Sequence, residues 1–212
     1  MTLGLFGGTF DPIHFGHLDV VHAARLALNL EQVWLVPSRW PPHRAAPRVS
    51  AAHRFAMAAL AIQQEHGVLV SDLEMDAQGP SYTVDTLTRF TEKYHPAERP
   101  VFIIGADAFR DIGSWKAYPQ VLDQCHFAVV SRPGLAVSEL PELLPDLASR
   151  MCHAPCEMPH RPGILLVDAP TAAVSSTAVR DAAAHGRSLG GLVPAGVGEY
   201  IVRHGFYRDV SS

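Results

Sequence analysis

The chain has 212 residues, of which 48 % are apolar and 18 % charged, a balance that suits one soluble α/β domain spanning residues 1–212. A net charge of −4 argues against a bulk basic surface for nucleic acid, and no apolar run approaches the roughly 18 residues that span a bilayer. Three cysteines, Cys125, Cys152 and Cys156, make no disulfide framework at this size, and no signal-like segment opens the chain, so a cytoplasmic setting is expected.

In chain order, apolar runs alternate with helix-period segments, the pattern of a parallel sheet with crossover helices. A first strand is expected over residues 3–6, followed by the stretch GGTFDPIHFGH and a helix over 18–30. A second strand, 32–36, runs into residues 37–49, an irregular stretch with four prolines and three arginines. Ser50 is placed to cap a helix over 51–65. A strand over 68–73, a helix over 84–94 and strands over 100–104 and 126–130 follow. Residues 133–163 hold six prolines and read as a variable surface excursion with a short helix. A sixth strand at 164–167 precedes a C-terminal helical segment from about residue 176, whose last helix, 196–204, is stopped by Gly205. The fold class expected is therefore α/β: a Rossmann-like doubly wound parallel sheet of five to six strands with flanking helices.

Ligands of such sheets bind beyond the carboxyl ends of the strands, and here those ends collect glycines, histidines, arginines and hydroxyls. Lys93 and Lys116 are the only lysines, so an anion site must use arginine, histidine and backbone N–H groups. Gly7 and Gly8 would let the backbone approach a bulky anion. Gly16 and His17 should open a helix whose amino end favours negative charge, and His14 and His17, three apart, can face the same anion. Ser175, Ser176 and Thr177 stand at a second helix start with Arg180 about one turn inside, a grip for another part of a polyphosphate. The alternative for this segment is an ordinary hydroxyl cap with a solvated arginine.

The pairing of GGTFDPIHFGH with SSTAVR at 175–180 resembles the HxGH nucleotidyltransferase superfamily. PPHR at 41–44, GPSYTVDTL at 79–87, IIGAD at 103–107, Trp115 and SRPG at 131–134 are similar, in order and spacing, to the bacterial nicotinate-nucleotide adenylyltransferase family in particular. The family commonly has lysine where this chain has Arg44. The resemblance implies adenylyl transfer from ATP to nicotinate mononucleotide, giving deamido-NAD and pyrophosphate. It implies that His14, His17 and Arg180 are catalytic, with His17 nearest the α-phosphate. It places ATP at Gly7, Gly8, Thr9, Phe10, Gly105, Asp107, Arg132, Ser175, Ser176 and Thr177, with Arg132 on the adenine side. Nicotinate mononucleotide is expected at Thr83, Trp115, His43 and Arg44, with Trp115 stacking on the pyridine ring. Read without the family, Asp107 could equally be a helix cap for residues 108–112, and Trp115 a buried aromatic.

Asp11 and Pro12 are expected to shape a turn. No protein carboxylate cluster for Mg²⁺ stands out, so that cofactor is expected to be held mainly by ATP phosphates and water, without a protein metal site. Cys152, His153, Cys156 and His160 lack the usual two-residue cysteine spacing of a zinc site. Another HxGH-type enzyme, such as a pantetheine-phosphate adenylyltransferase, or a non-catalytic adenine-nucleotide-binding regulator are the alternatives, and association into a homo-oligomer is left open.

Overall fold

The structure, a computed structural model, describes residues 2–42 and 46–208. Its centre is one parallel sheet of seven strands, β1 (Leu3–Gly8), β2 (Gln32–Pro37), β3 (Val68–Val70), β4 (Val101–Gly105), β5 (His126–Val130), β6 (Met151–His153) and β7 (Ile164–Val167). The order across the sheet is β3-β2-β1-β4-β5-β7-β6. The chain winds outward from β1 through β2 to β3, then crosses to the other side at β4. The switch point therefore lies between β1 and β4, and the crevice beyond their carboxyl ends is open to a ligand. Gly8 ends the first of these strands and Gly105 the second.

The central strands are buried on both faces, and alternate residues serve the two sides. Phe6, Val101 and Ile103 join one core cluster, whereas Leu5, Phe102 and Ile104 join the other. The first face is covered by α1 (Phe15–Ala27), α2 (Ala51–Ala61), α6 (Ser176–Ala184) and α7 (Ala195–His204). The second takes α3 (Thr83–Tyr94), the single turn α4 (Ala106–Phe109) and the 133–163 excursion with its own short α5 (Leu140–Leu143). A fully buried residue such as Ile103 contributes roughly 1.5–3 kcal/mol relative to exposure.

Three expectations need correction. The sheet has seven strands because β6, inside the excursion, adds an edge strand beside β7. Its Met-Cys-His sequence carries no β-branched residue or alternation that would mark it; neighbouring backbone alone recruits it. β3 stops at Val70 rather than residue 73, because the Ser71 hydroxyl accepts the Leu73 N–H (3.2 Å) and turns the chain out of the sheet. Asp107 is no helix cap: Gly105 holds the cap position and Asp107 lies inside α4. Helix bounds shift as well, α1 running Phe15–Ala27 rather than 18–30 and α2 stopping at Ala61 rather than 65, whereas two local signals match. The Ser50 hydroxyl accepts the His53 N–H at the start of α2, and Gly205 ends α7 in the left-handed region (φ 64°).

Candidate active site

The loop from β1 to α1 folds tightly over the switch point. Phe10 takes a left-handed backbone (φ 50°) and tucks its ring beneath Gly8, where a Cβ would lie only 2.6 Å from it. His14 follows as the extended residue before α1, and its carbonyl accepts the His17 N–H (2.9 Å). Gly16 admits the chain that leads into α6: a Cβ there would stand 3.0 Å from the Val174 carbonyl oxygen and 3.1 Å from that of Ala172.

His14 and His17 stack, with ring centroids 3.7 Å apart, and the His17 ring meets Phe10 edge-on at 5.1 Å. His14 is only 2 % exposed, and its Nδ1 has no hydrogen-bond partner among the described residues. Burial, aided by the charge of Arg132, pushes its pKa from 6.5 down to about 4, so the ring is neutral at pH 7. Arg132, just beyond β5, donates from Nη1 to the Gly16 carbonyl (2.8 Å).

The start of α6 closes the opposite side. The Ser175 hydroxyl caps the helix by accepting the Ala178 N–H (3.1 Å), and the Ser176 hydroxyl donates to the Pro12 carbonyl (2.9 Å). Arg180 donates to the Asp11 carbonyl (2.7 Å) and to the Thr177 hydroxyl (3.0 Å). The Ser176 hydroxyl thus donates its proton within the protein, whereas those of Ser175 and Thr177 only accept and keep an O–H to donate, alongside the first N–H groups of α6. Gly7, Gly8, Thr9, Phe10, His14, His17, Gly105, Asp107, Arg132, Ser175, Ser176, Thr177 and Arg180 all border one cavity of about 700 Å³.

A second cavity, about 370 Å³, adjoins the first and shares Gly7, Gly8, Thr9, Ile104 and Ala108 with it. Thr83, the first residue of α3, and Trp115 both line it. Trp115 is half-buried with its ring edge-on to Phe102 (6.2 Å), so it is neither fully core nor free. The neighbouring Lys116 ties this loop to α3 through the Asp85 carboxylate (2.8 Å) and lies over the Tyr82 ring. His43 and Arg44 lie outside the described residues; the segment leading to them is held by Ser81, whose N–H donates to the Trp40 carbonyl (2.8 Å).

Several residues that shape these cavities escaped sequence reasoning. Glu74 is 1 % exposed in the wall of the second cavity, where its Oε1 accepts from Thr86 and Arg89, each at 2.8 Å. Arg54 is 1 % exposed and donates to the carbonyls of Thr9 (2.6 Å), Val49 (3.2 Å) and Arg39 (3.2 Å). One guanidinium thus joins the glycine-rich loop, the proline-rich segment and α2. A signal existed: Arg54 shares the buried stripe of α2 with Met57, Ala58 and Ala61, an odd place for a charge. Asp11, more than a turn former, accepts from the Tyr207 hydroxyl and the Arg48 N–H, each at 2.8 Å.

Cys152 and Cys156 are free thiols with their sulfurs 2.8 Å apart, remote from both cavities, and burial pushes the Cys152 thiol up to about 12. Among the described residues no group of three or more His, Cys, Asp or Glu side chains could hold a metal ion, and no helix is long and apolar enough to cross a membrane.

The family model described as cytidylyltransferase-like matches residues 5–182. A protein of Moorella thermoacetica named "probable nicotinate-nucleotide adenylyltransferase" is 41 % identical over 207 residues, covering 97 % of this chain and 91 % of its own. One of the same name from Halorhodospira halophila is 39 % identical over 209 residues, covering 97 % and 95 %. In three dimensions the chain is similar to the nicotinic acid mononucleotide adenylyltransferase of Plasmodium falciparum, solved in complex with NaAD. The TM-score is 0.75 at 20 % identity, with 97 % of each chain covered, a likeness of fold. The chain belongs to the cytidylyltransferase-like family, and within it to the nicotinate-nucleotide adenylyltransferases.

Proposed function

We propose that the chain transfers the adenylyl group of ATP to the 5′-phosphate of nicotinate mononucleotide, giving deamido-NAD and pyrophosphate. The observation that carries this reading is the pair of cavities meeting at Gly7–Thr9: one walled by histidines, arginines and a helix start, the other by an aromatic ring and a second helix start. A polyphosphate suits the first and a pyridine mononucleotide the second, with their phosphates converging at the shared wall. A nucleotide-binding regulator would have no use for the second cavity.

The attacking phosphate monoester has a second pKa of about 6, so it is mostly ionised at pH 7 and needs no general base. One of its oxygens bonds to the α-phosphorus while the bond to the bridging oxygen breaks, and pyrophosphate leaves with the electron pair. The barrier is the in-line approach of two polyanions and the charge that builds on the α-phosphate and leaving group. In this reading His17 meets the α-phosphate, and His14 acts as a neutral donor through one N–H. Arg180, the backbone N–H groups of Ser176 and Thr177 and the hydroxyl donors kept by Ser175 and Thr177 take the β- and γ-phosphates, the Ser176 hydroxyl being engaged by the Pro12 carbonyl. Gly105 and Asp107 meet the ribose. Arg132, tied to the Gly16 carbonyl at the rim of the same cavity, takes the adenine side.

In the second cavity the first N–H groups of α3, at Thr83, favour the nicotinate carboxylate, and Trp115 supplies a face for the ring. The family resemblance assigns His43 and Arg44, which lie outside the described residues, to the same substrate.

Nucleotidyltransferases of this kind normally use a divalent metal. Of the two aspartates bordering the larger cavity, both Asp11 oxygens accept hydrogen bonds from protein, which leaves Asp107. A single carboxylate, already assigned to the ribose, fits Mg²⁺ carried in on the triphosphate and held mainly by phosphate oxygens and water. Bound there, Mg²⁺ would neutralise phosphate charge.

The purified protein, given ATP, Mg²⁺ and nicotinate mononucleotide, is expected to release pyrophosphate. Silence with that substrate and turnover with phosphopantetheine would overturn the assignment.

A further inference from the structure

We propose that Tyr207, in the C-terminal segment, is a positioning residue for the triphosphate cavity, acting through Asp11 on Arg180 and on the wall at residues 46–48. The proposal rests on the functional reading above. It starts from the turns that follow α7. Gly205 and Tyr207 both adopt left-handed backbone (φ 64° each), and the Phe206 N–H turns back to the Ile201 carbonyl (3.1 Å). After these turns the Tyr207 ring points inward, 6 % exposed. Its hydroxyl donates to Asp11 Oδ1 at 2.8 Å, across 196 positions of sequence.

Asp11, also 6 % exposed, joins three distant parts of the chain. Oδ1 takes the Tyr207 hydroxyl, Oδ2 takes the Arg48 N–H (2.8 Å), and the main-chain carbonyl takes Arg180 Nη1 (2.7 Å). With the bond from Nη2 to Thr177, that last contact fixes the plane of the Arg180 fork. A phenol suits the task because it holds the carboxylate without adding another cation beside Arg54 and Arg180. Burial and the Asp11 charge push the Tyr207 phenol up, so it stays a donor throughout the working range.

The restraints fall on one substrate only. Asp11, Arg48 and Arg180 border the triphosphate cavity, and none borders the mononucleotide cavity. Loosening Tyr207 should therefore separate the two substrates kinetically, which a general loss of stability would not do.

The test compares wild type with Tyr207→Phe, which removes one hydroxyl. If wild type fails to turn over ATP and nicotinate mononucleotide, the functional reading fails, and a binding titration with a non-hydrolysable ATP analogue still tests the positioning role. Tyr207→Phe is expected to raise KM for ATP and Kd for the analogue about tenfold, with KM for the mononucleotide changed by less than about twofold. No change, or equal change for both substrates, overturns the proposal. Asp11→Asn breaks the same arrangement from the other side, since a carboxamide cannot accept at both positions, and should give the same split. The double variant should be no worse than the poorer single one; additive losses would mean that the two residues act separately.

Discussion

The imidazoles of His14 and His17 lie face to face, 3.7 Å between centroids and 25° between planes, at the mouth of the triphosphate cavity. Two imidazolium rings this close would repel, in keeping with His14 being held neutral. The stack makes His14 a fixed backing for His17, which in the proposed function is the ring that follows charge on the α-phosphate. His17→Ala should lower kcat by about 10² or more, the cost of one preorganised donor. A near-normal kcat would remove His17 from the chemistry.

His14 also gives stability a pH dependence. Its folded pKa, about 4, lies below the 6.5 of an unperturbed imidazole. Above pH 6.5 the ring is neutral in both states and the burial is unopposed. As pH falls toward 4 the unfolded chain takes up the proton first, so stability declines, by up to about 3 kcal/mol. Urea unfolding at a series of pH values between 7 and 4 should show this slope, and His14→Gln should flatten it. An unaltered slope would show that other groups carry the acid sensitivity.

Trp115 borders only the smaller cavity, so Trp115→Ala should raise KM for nicotinate mononucleotide more than KM for ATP. Steady-state kinetics with each substrate varied in turn will show this. An equal rise in both constants would assign the ring to packing against Phe102.

Arg54→Met would leave the carbonyls of Thr9, Arg39 and Val49 without their shared donor. Buried acceptors stripped of a charged partner are costly, and a loss of about 3 kcal/mol or more is expected from urea midpoints. A variant as stable as wild type would show that the three segments hold together without the guanidinium.

Much of the site was legible because its signals are local. A glycine pair closing a strand, a hydroxyl at a helix start and a glycine stopping a helix each depend on backbone geometry within a few residues. The alternation of strands and helices then brings their carboxyl ends to one rim, so Gly8, His14, Gly105, Arg132 and Ser175 could be gathered from chain order alone. Membership of the nicotinate-nucleotide adenylyltransferases was legible in the same way, from short motifs in order.

What tertiary structure alone decided is which of these groups are already engaged. The sequence left the hydroxyls of residues 175–177 between an anion grip and a helix cap; in the structure Ser175 accepts the Ala178 N–H as the cap and Ser176 donates to the Pro12 carbonyl. The neutrality of His14 depends on burial and on Arg132, 118 residues away in sequence. β6 exists only because β7 offers it an edge. The joining of Asp11 to Tyr207, and of Arg54 to Thr9 and Arg39, has no periodicity to announce it, because hydrogen bonds between distant segments are selected by the packed fold. Local backbone preference places the functional groups on the rim; desolvation and long-range hydrogen bonding, which exist only after packing, set their charge and aim.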